Sequence, residues 1–156
     1  MKKITLLLLL FVNIGIAQNR EETIDWLNRN LSEYAAPSNE EYNIKIVNDP
    51  NYGEMIVIEV IFTPLNVKGF YSFKPNAITR VTTTRKLRSD KINGNLDIEV
   101  VSKEKRIWTD DEKFIDSFYF WIQASNENVE RINKGFIHLL ELMGNKIEPE
   151  KDFFKN

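Results

Sequence analysis

The stretch Met55-Ile56-Val57-Ile58-Glu59-Val60-Ile61-Phe62 decides the fold. Ile56, Ile58, Val60 and Phe62 fall on one side of an extended chain. Met55, Val57, Glu59 and Ile61 fall on the other. A strand apolar on both faces is expected to be central, or covered by another element. Before it, Asp49-Pro50-Asn51-Tyr52-Gly53 is turn chemistry, with proline and glycine presetting the backbone and Asp49 able to bond to it. Before the turn, Tyr42, Ile44 and Ile46 alternate with Asn43 and Lys45. The two runs therefore read as neighbouring antiparallel strands.

The period of two continues to Gln123. Pro64 closes the deciding strand, and Val67, Tyr71 and Phe73 mark a third, ended by Lys74-Pro75-Asn76. Ile78 to Leu87 is a fourth, rich in threonine and arginine. Asn93-Gly94 is a hairpin signal, since a type I′ turn needs positive φ at both central positions. Leu96, Ile98 and Val100 alternate with Asp97 and Glu99. Lys103-Glu104-Lys105 reads as a turn before Arg106-Ile107-Trp108, and Asp110-Asp111-Glu112 as a loop. Phe114 to Ile122 is the last strand, with Phe114, Phe118, Phe120 and Ile122 expected on one face and Tyr119 and Trp121 on the other.

Helices flank this block. Ile24, Leu27, Leu31 and Tyr34 recur at helical spacing, with Trp26 widening the stripe. Asn19 and Glu22 form a capping-box pattern at its start, and Pro37 ends it. At the far end, Val129, Ile132, Phe136, Leu139, Leu140 and Met143 make a second stripe. Ser125 or Asn126 caps that helix, and Gly144-Asn145 supplies a left-handed stop. Its length of about 27 Å suits the open end of a small sandwich.

The expected fold is therefore α+β: a bent antiparallel sheet or sandwich of six to seven strands, with an N-terminal helix and a capping C-terminal helix. This order resembles the pleckstrin-homology-like superfold. The segment NVERINKGFIHLLELMG (128–144), with the opening Ile24-Asp25-Trp26-Leu27, also resembles small exported bacterial proteins of unknown function. The resemblance covers most of residues 20 to 146 and rests on core positions. It implies a fold rather than an activity, and brings no catalytic residues.

The chain has 156 residues, no cysteine, one histidine and a formal charge of -2. Lys2 and Lys3, the apolar run Ile4 to Ile16 and Gly15-Ile16-Ala17 have the pattern of a cleavable signal peptide. The run is shorter than the roughly 20 apolar residues of a membrane span. Cleavage after Ala17 would leave 139 residues, with 19 basic against 23 acidic and 17 aromatic side chains. The expected organisation is a signal peptide at 1–17, one domain at 18–146 and a loose charged tail at 147–156, whose Phe153-Phe154 could dock. A chain this apolar and aromatic is not disordered. The missing cysteines exclude disulfides, zinc-thiolate sites and thiol catalysis. The mild acidity argues against nucleic acid as a main partner.

Few residues suggest chemistry. His138 has Glu141 one helical turn on, but a lone imidazole beside a core stripe reads as structural. Asp110, Asp111 and Glu112 lack the alternating ligands and glycine of an EF-hand and read as a solvated turn. Asn30-Leu31-Ser32 matches a glycosylation acceptor but falls inside the first helix. There is no P-loop, Rossmann glycine pattern, nucleophile elbow or HExxH. No catalytic residue, metal ligand or cofactor is expected.

The basic strand stands out. Between Thr79 and Lys91, Arg80, Arg85, Lys86, Arg88 and Lys91 oppose only Asp90, a local charge of +4. Arg80, Thr82, Thr84, Lys86 and Arg88 share one face and could meet a phosphate, sulfate or carboxylate. The alternative is an edge strand guarded by cations. The aromatics, Trp108 among them, read mainly as core, with Tyr119 and Trp121 a second patch if left uncovered. Arg80, Lys86, Arg88, Tyr119 and Trp121 are thus the candidate ligand-binding residues. The expected function is an exported, non-enzymatic binding or accessory module for a protein, glycan or anionic ligand. A carrier of an apolar small molecule and a hydrolase with an acidic site are the alternatives.

Overall fold

The computed structural model describes residues 2–35, 39–85 and 96–147. Two helices and two antiparallel sheets form an α+β fold. The elements run α1 (Lys2–Ala35), β1 (Glu40–Asp49), β2 (Gly53–Phe62), β3 (Val67–Phe73), β4 (Ile78–Arg85), β5 (Leu96–Ser102), β6 (Ile107–Thr109), β7 (Phe114–Ile115), β8 (Ser117–Phe120) and α2 (Asn126–Leu142). The first sheet has the order β1-β2-β3-β6-β7 and the second β4-β5-β8.

Turn chemistry sets the first hairpin as expected. Asp49 Oδ1 accepts from the backbone N–H of Asn51 at 2.8 Å and of Tyr52 at 3.0 Å, and Gly53 takes a φ of 77° that favours glycine. Ile44 then pairs with Ile58, and Ile58 with Tyr71. Tyr42, Ile44, Ile56, Ile58 and Phe73 are buried on this inner face. Facing them are Val81, Ile98, Val100, Phe118 and Phe120 of the second sheet. Phe118 stacks on Tyr71 with ring centroids 4.5 Å apart.

The helices close the core. Val129, Ile132, Phe136, Leu139 and Leu140 of α2 are buried, as are Leu27, Leu31 and Ala35 of α1. Ser125 caps α2 by accepting from Asn128 N–H. At its other end Gly144, with φ 87°, and Asn145 return bonds to Glu141 O and Leu140 O. The α1 side chain of Asn28 does for β1 what a further strand would do. Its Oδ1 accepts from Ile44 N–H at 2.7 Å and its Nδ2 donates to Ile44 O at 3.0 Å.

Two expectations are corrected. Asn19 does not cap a helix: α1 begins at Lys2, and Asn19 O accepts from the Thr23 hydroxyl inside it. The upstream residues continue the helical path, so the first turn lies elsewhere. The last strand is not continuous either. Its run breaks at Asp116, pairing with β6 through Phe114 and Ile115 and with β5 from Ser117 onward. Asp116 O accepts from Ser102 N–H at 2.6 Å at the break. The break rotates Phe114 away from the core, where it is 58% exposed. Asn93-Gly94 and Phe153-Phe154 lie outside the described residues. The buried chain reaches Ile147, one residue into the expected tail.

Tyr42 ties the sheets together. Its hydroxyl donates to Glu40 and accepts from Trp121 N–H. Burial, then the Glu40 bond, push its pKa well above the ordinary 10.0, and burial raises Tyr71 as well. A raised folded-state pKa gives stability that is complete below the unfolded value and lost as pH rises past it. Unfolding midpoints in urea should therefore fall above about pH 10, by up to ~1.4 kcal/mol per pH unit for each phenol. Tyr42→Phe should cost about 1 kcal/mol at neutral pH and flatten that alkaline slope; an unchanged slope would disprove the assignment.

Candidate functional site

Arg80 and Tyr119 share the outer face of the second sheet, away from the core. Register places Thr82 opposite Glu99 and Glu99 opposite Tyr119. Glu99 joins the two candidates: its Oε2 lies 3.4 Å from Arg80 Nη2, and its Oε1 accepts from the Tyr119 hydroxyl. Trp121 comes directly after β8 and is half-buried. Strand β4 is outermost in its sheet, where the edge-guard reading puts it. Lys86 and Arg88 lie outside the described residues. Part of the cationic charge on this face is thus already committed to Glu99.

The larger feature lies on the other sheet. The second face of β2 carries Met55, Val57, Glu59 and Ile61, and among the described residues neither α1 nor α2 covers it. One row crosses all five strands: Lys45, Val57, Ser72, Trp108 and Phe114 are successive partners. Two concavities flank this row and meet at Ser72. One, of about 440 Å³, is lined by Val47, Val57, Ile61 and Phe70 with Lys45 and Lys68. The other, of about 640 Å³, is lined by Tyr52, Met55, Trp108 and Phe114 with Lys74 and Arg106. Both volumes fall in the range of small-molecule sites, roughly 300–1,000 Å³.

Aromatic geometry shapes the larger concavity. Trp108 and Phe114 meet edge to face at 4.7 Å, and Lys74 Nζ sits 5.7 Å from the Tyr52 ring centre, within cation–π range. Tyr52 is 60% exposed. Arg106 pairs with Glu104 at 2.7 Å, both side chains exposed. In the smaller concavity Lys45 bonds to Glu59. That bond, then the one from Asn43, holds the Glu59 carboxyl below its usual range. An apolar floor with cations at its margin can hold a ligand that combines a flat apolar body with an anionic group.

The remaining candidates are dispersed. His138 is exposed, with Nδ1 3.7 Å from Glu141 Oε2. In the acidic loop, Asp111 accepts from Lys113 and Thr109, which holds its carboxyl below the usual range. Asp110 lies over Gly69, where an added Cβ would stand 3.3 Å from its Oδ1. Among the described residues no three His, Asp or Glu side chains are grouped as a metal would need, and no helix is long and apolar enough to cross a membrane.

Comparison with protein-family models, curated proteins and solved structures gives no match to this chain.

The groove was legible only in part. The two-faced pattern of β2 pointed to a central or a covered strand; β2 is central, and both stripe-bearing helices are spent on the inner side of the sheets. Counting layers against helices would have left this face open. Trp108, grouped with core aromatics by composition, lines the groove because its partner on β3 is Ser72 and not Tyr71.

Proposed function

We propose that the chain is an exported, non-enzymatic binding module whose ligand surface is the outer face of the five-stranded sheet. The observation that carries this is the open groove floored by Trp108, Phe114 and Met55 with Lys74 and Arg106 at its margin. An exposed aromatic face rimmed by charge is a common mark of an interaction site. The ligand class is an apolar, preferably aromatic, group bearing a carboxylate, sulfate or phosphate. The groove is open along the sheet, which suits docking on a surface better than full enclosure of a carried molecule. The leader pattern at Lys2 to Ala17 supports export. Two antiparallel sheets with a closing helix support the pleckstrin-homology-like arrangement, without its lipid ligand.

Titration with 8-anilinonaphthalene-1-sulfonate, an apolar anion, tests this reading. It should bind saturably, and Trp108→Ala should weaken it about tenfold, equivalent to about 1.4 kcal/mol for a lost aromatic anchor. Arg80→Ala should leave it unchanged. Equal binding by the Trp108→Ala chain would overturn the assignment. Loss of retention on a sulfated resin in an Arg80→Ala, Lys86→Ala, Arg88→Ala chain, with Trp108→Ala retained normally, would move the site to the basic strand.

A further inference from the structure

The two concavities make one groove with cations at both ends. Lys68 lines the smaller and Lys74 the larger, and both are exposed. Six positions of extended chain separate them, about 20 Å. In the smaller concavity Lys45 and Lys68 both act on the single carboxylate of Glu59. In the larger, Lys74 and Arg106 are joined by one acidic lining residue, Asp49, while Glu104 lies outside the lining. Each end thus carries two cations and one acid. A compact ligand with a single anionic group can meet one end and not the other.

Between the cations the floor is apolar: Ile61, Val57 and Phe70 in one part, Met55, Trp108 and Phe114 in the other. Ser72, Asn76 and the Tyr52 hydroxyl are the only neutral polar side-chain groups in the lining. A glycan laid here would bury hydroxyls, and an extended peptide would bury backbone N–H and C=O groups, with too few partners for either. Joining a sheet edge is no remedy for that peptide. On β1 the Asn28 side chain already holds Ile44 N–H and C=O, and at the opposite edge β7 has only two residues. An α-helix satisfies its own backbone and presents side chains alone. Its diameter of about 10–12 Å matches two strand spacings, the width from β1 to β3, and about 20 Å of groove takes roughly 13 helical residues. The apolar stripes of α1 and α2 are buried in the core, so a folded second copy has no such helix face to offer among its described residues.

Resting on the groove reading above, we infer that the groove takes the apolar stripe of an acidic amphipathic helix from another protein. Its stripe, at i, i+3, i+4 and i+7, lies on the floor, and carboxylates on its flanks meet Lys68 at one end and Lys74 at the other. Trp108 and Phe114 anchor one end of that helix, Ile61 and Phe70 the other. The partner thereby supplies the layer that an apolar sheet face lacks.

The probe is a fluorophore-labelled helical peptide of about 14 residues, with leucine along the stripe and glutamate on both flanks. Its anisotropy should show saturable binding to the folded chain, at least tenfold tighter than a peptide of the same composition with the stripe scrambled. Lys68→Glu and Lys74→Glu, both at exposed positions, should each weaken binding threefold or more. A peptide with lysine in place of glutamate should recover affinity for the doubly substituted chain. Equal affinity for striped and scrambled peptides overturns the inference. So does unchanged affinity in Lys68→Glu, which would mean a short ligand held at one end. If 8-anilinonaphthalene-1-sulfonate still binds through Trp108 in either case, the groove reading stands and only the helix is lost. If neither peptide nor dye responds to Trp108→Ala, both readings fail. Saturable binding of a heparin oligosaccharide, with none of the striped peptide, would give the groove to a glycan and overturn the helix.

Discussion

Phe120→Ala should destabilise the domain by about 3–5 kcal/mol, the usual cost of truncating a fully buried phenylalanine. Phe120 is 1% exposed and stands where three layers meet. Its ring lies edge to face with Tyr42 of the first sheet at 5.2 Å, with Phe118 of its own strand at 5.3 Å and with Phe136 of α2 at 5.4 Å. Each such contact adds about 0.5–1.5 kcal/mol beyond area burial. The lining is rigid on all three sides, which keeps the void from collapsing. Against a total stability of about 5–15 kcal/mol, this loss would bring the fold near its threshold. Urea unfolding followed by tryptophan fluorescence would measure it. Phe114→Ala is the control: the same side chain, six residues earlier and mostly exposed, should cost only about 0.5–1.5 kcal/mol for its one ring contact with Trp108. Equal losses at the two positions would refute the sheet switch at Asp116.

Gly135→Val should cost about 2–3 kcal/mol through overpacking between the two helices. On α2, a Cβ at Gly135 would stand 2.6 Å from Trp26 Cζ3 and 3.3 Å from Leu27 Cδ2. Leu27 is fully buried, and Arg131, one turn before Gly135 on α2, stands 5.9 Å from the Trp26 ring centre. Leu27 cannot withdraw without disturbing the core, and the rigid Trp26 ring must swing outward as a whole. Alanine is the milder case, because its gain of about 1 kcal/mol in helix propensity offsets part of the clash. Valine adds two methyl groups to the clash and has a weaker propensity. In a Trp26→Ala background the closest contact is gone and only Leu27 remains near, so a double-mutant cycle should give a coupling of about 1–2 kcal/mol. A Gly135→Val chain as stable as wild type would show that the helices do not pack this way.

Local chemistry was well expressed in the sequence, and long-range pairing was not. The Asp49–Gly53 turn, the Ser125 cap and the Gly144 stop each depend on atoms a few residues apart. The buried faces of β1 and β2 arise from a period of two within one run. By contrast, nothing in Phe114–Phe120 tells which sheet receives each half, because alternation is the same in both. Only the pairing of Trp108 with Phe114 and of Val100 with Phe118 decides it. The basic strand shows the same limit. Its local charge is evident, but Glu99, which pairs with Arg80, lies nineteen positions away on β5. The groove escaped notice for a related reason: an apolar strand face implies a partner without saying whether that partner belongs to the fold.

The broken strand also bears on how the molecule comes apart. Residues 114 to 120 are a single covalent run shared by both sheets, with only Asp116 between the two halves. Losing β8 from β5 would strip Phe118 and Phe120 from the core and leave β7 held by its two residues on β6 alone. The two sheets are thus expected to open together, with matched hydrogen-exchange protection in β2 and β5. The groove borrows rigidity from this arrangement. Phe114, at its edge, is six residues from Phe120, one of the fully buried rings, so a molecule held there would resist the same motion that unravels the run.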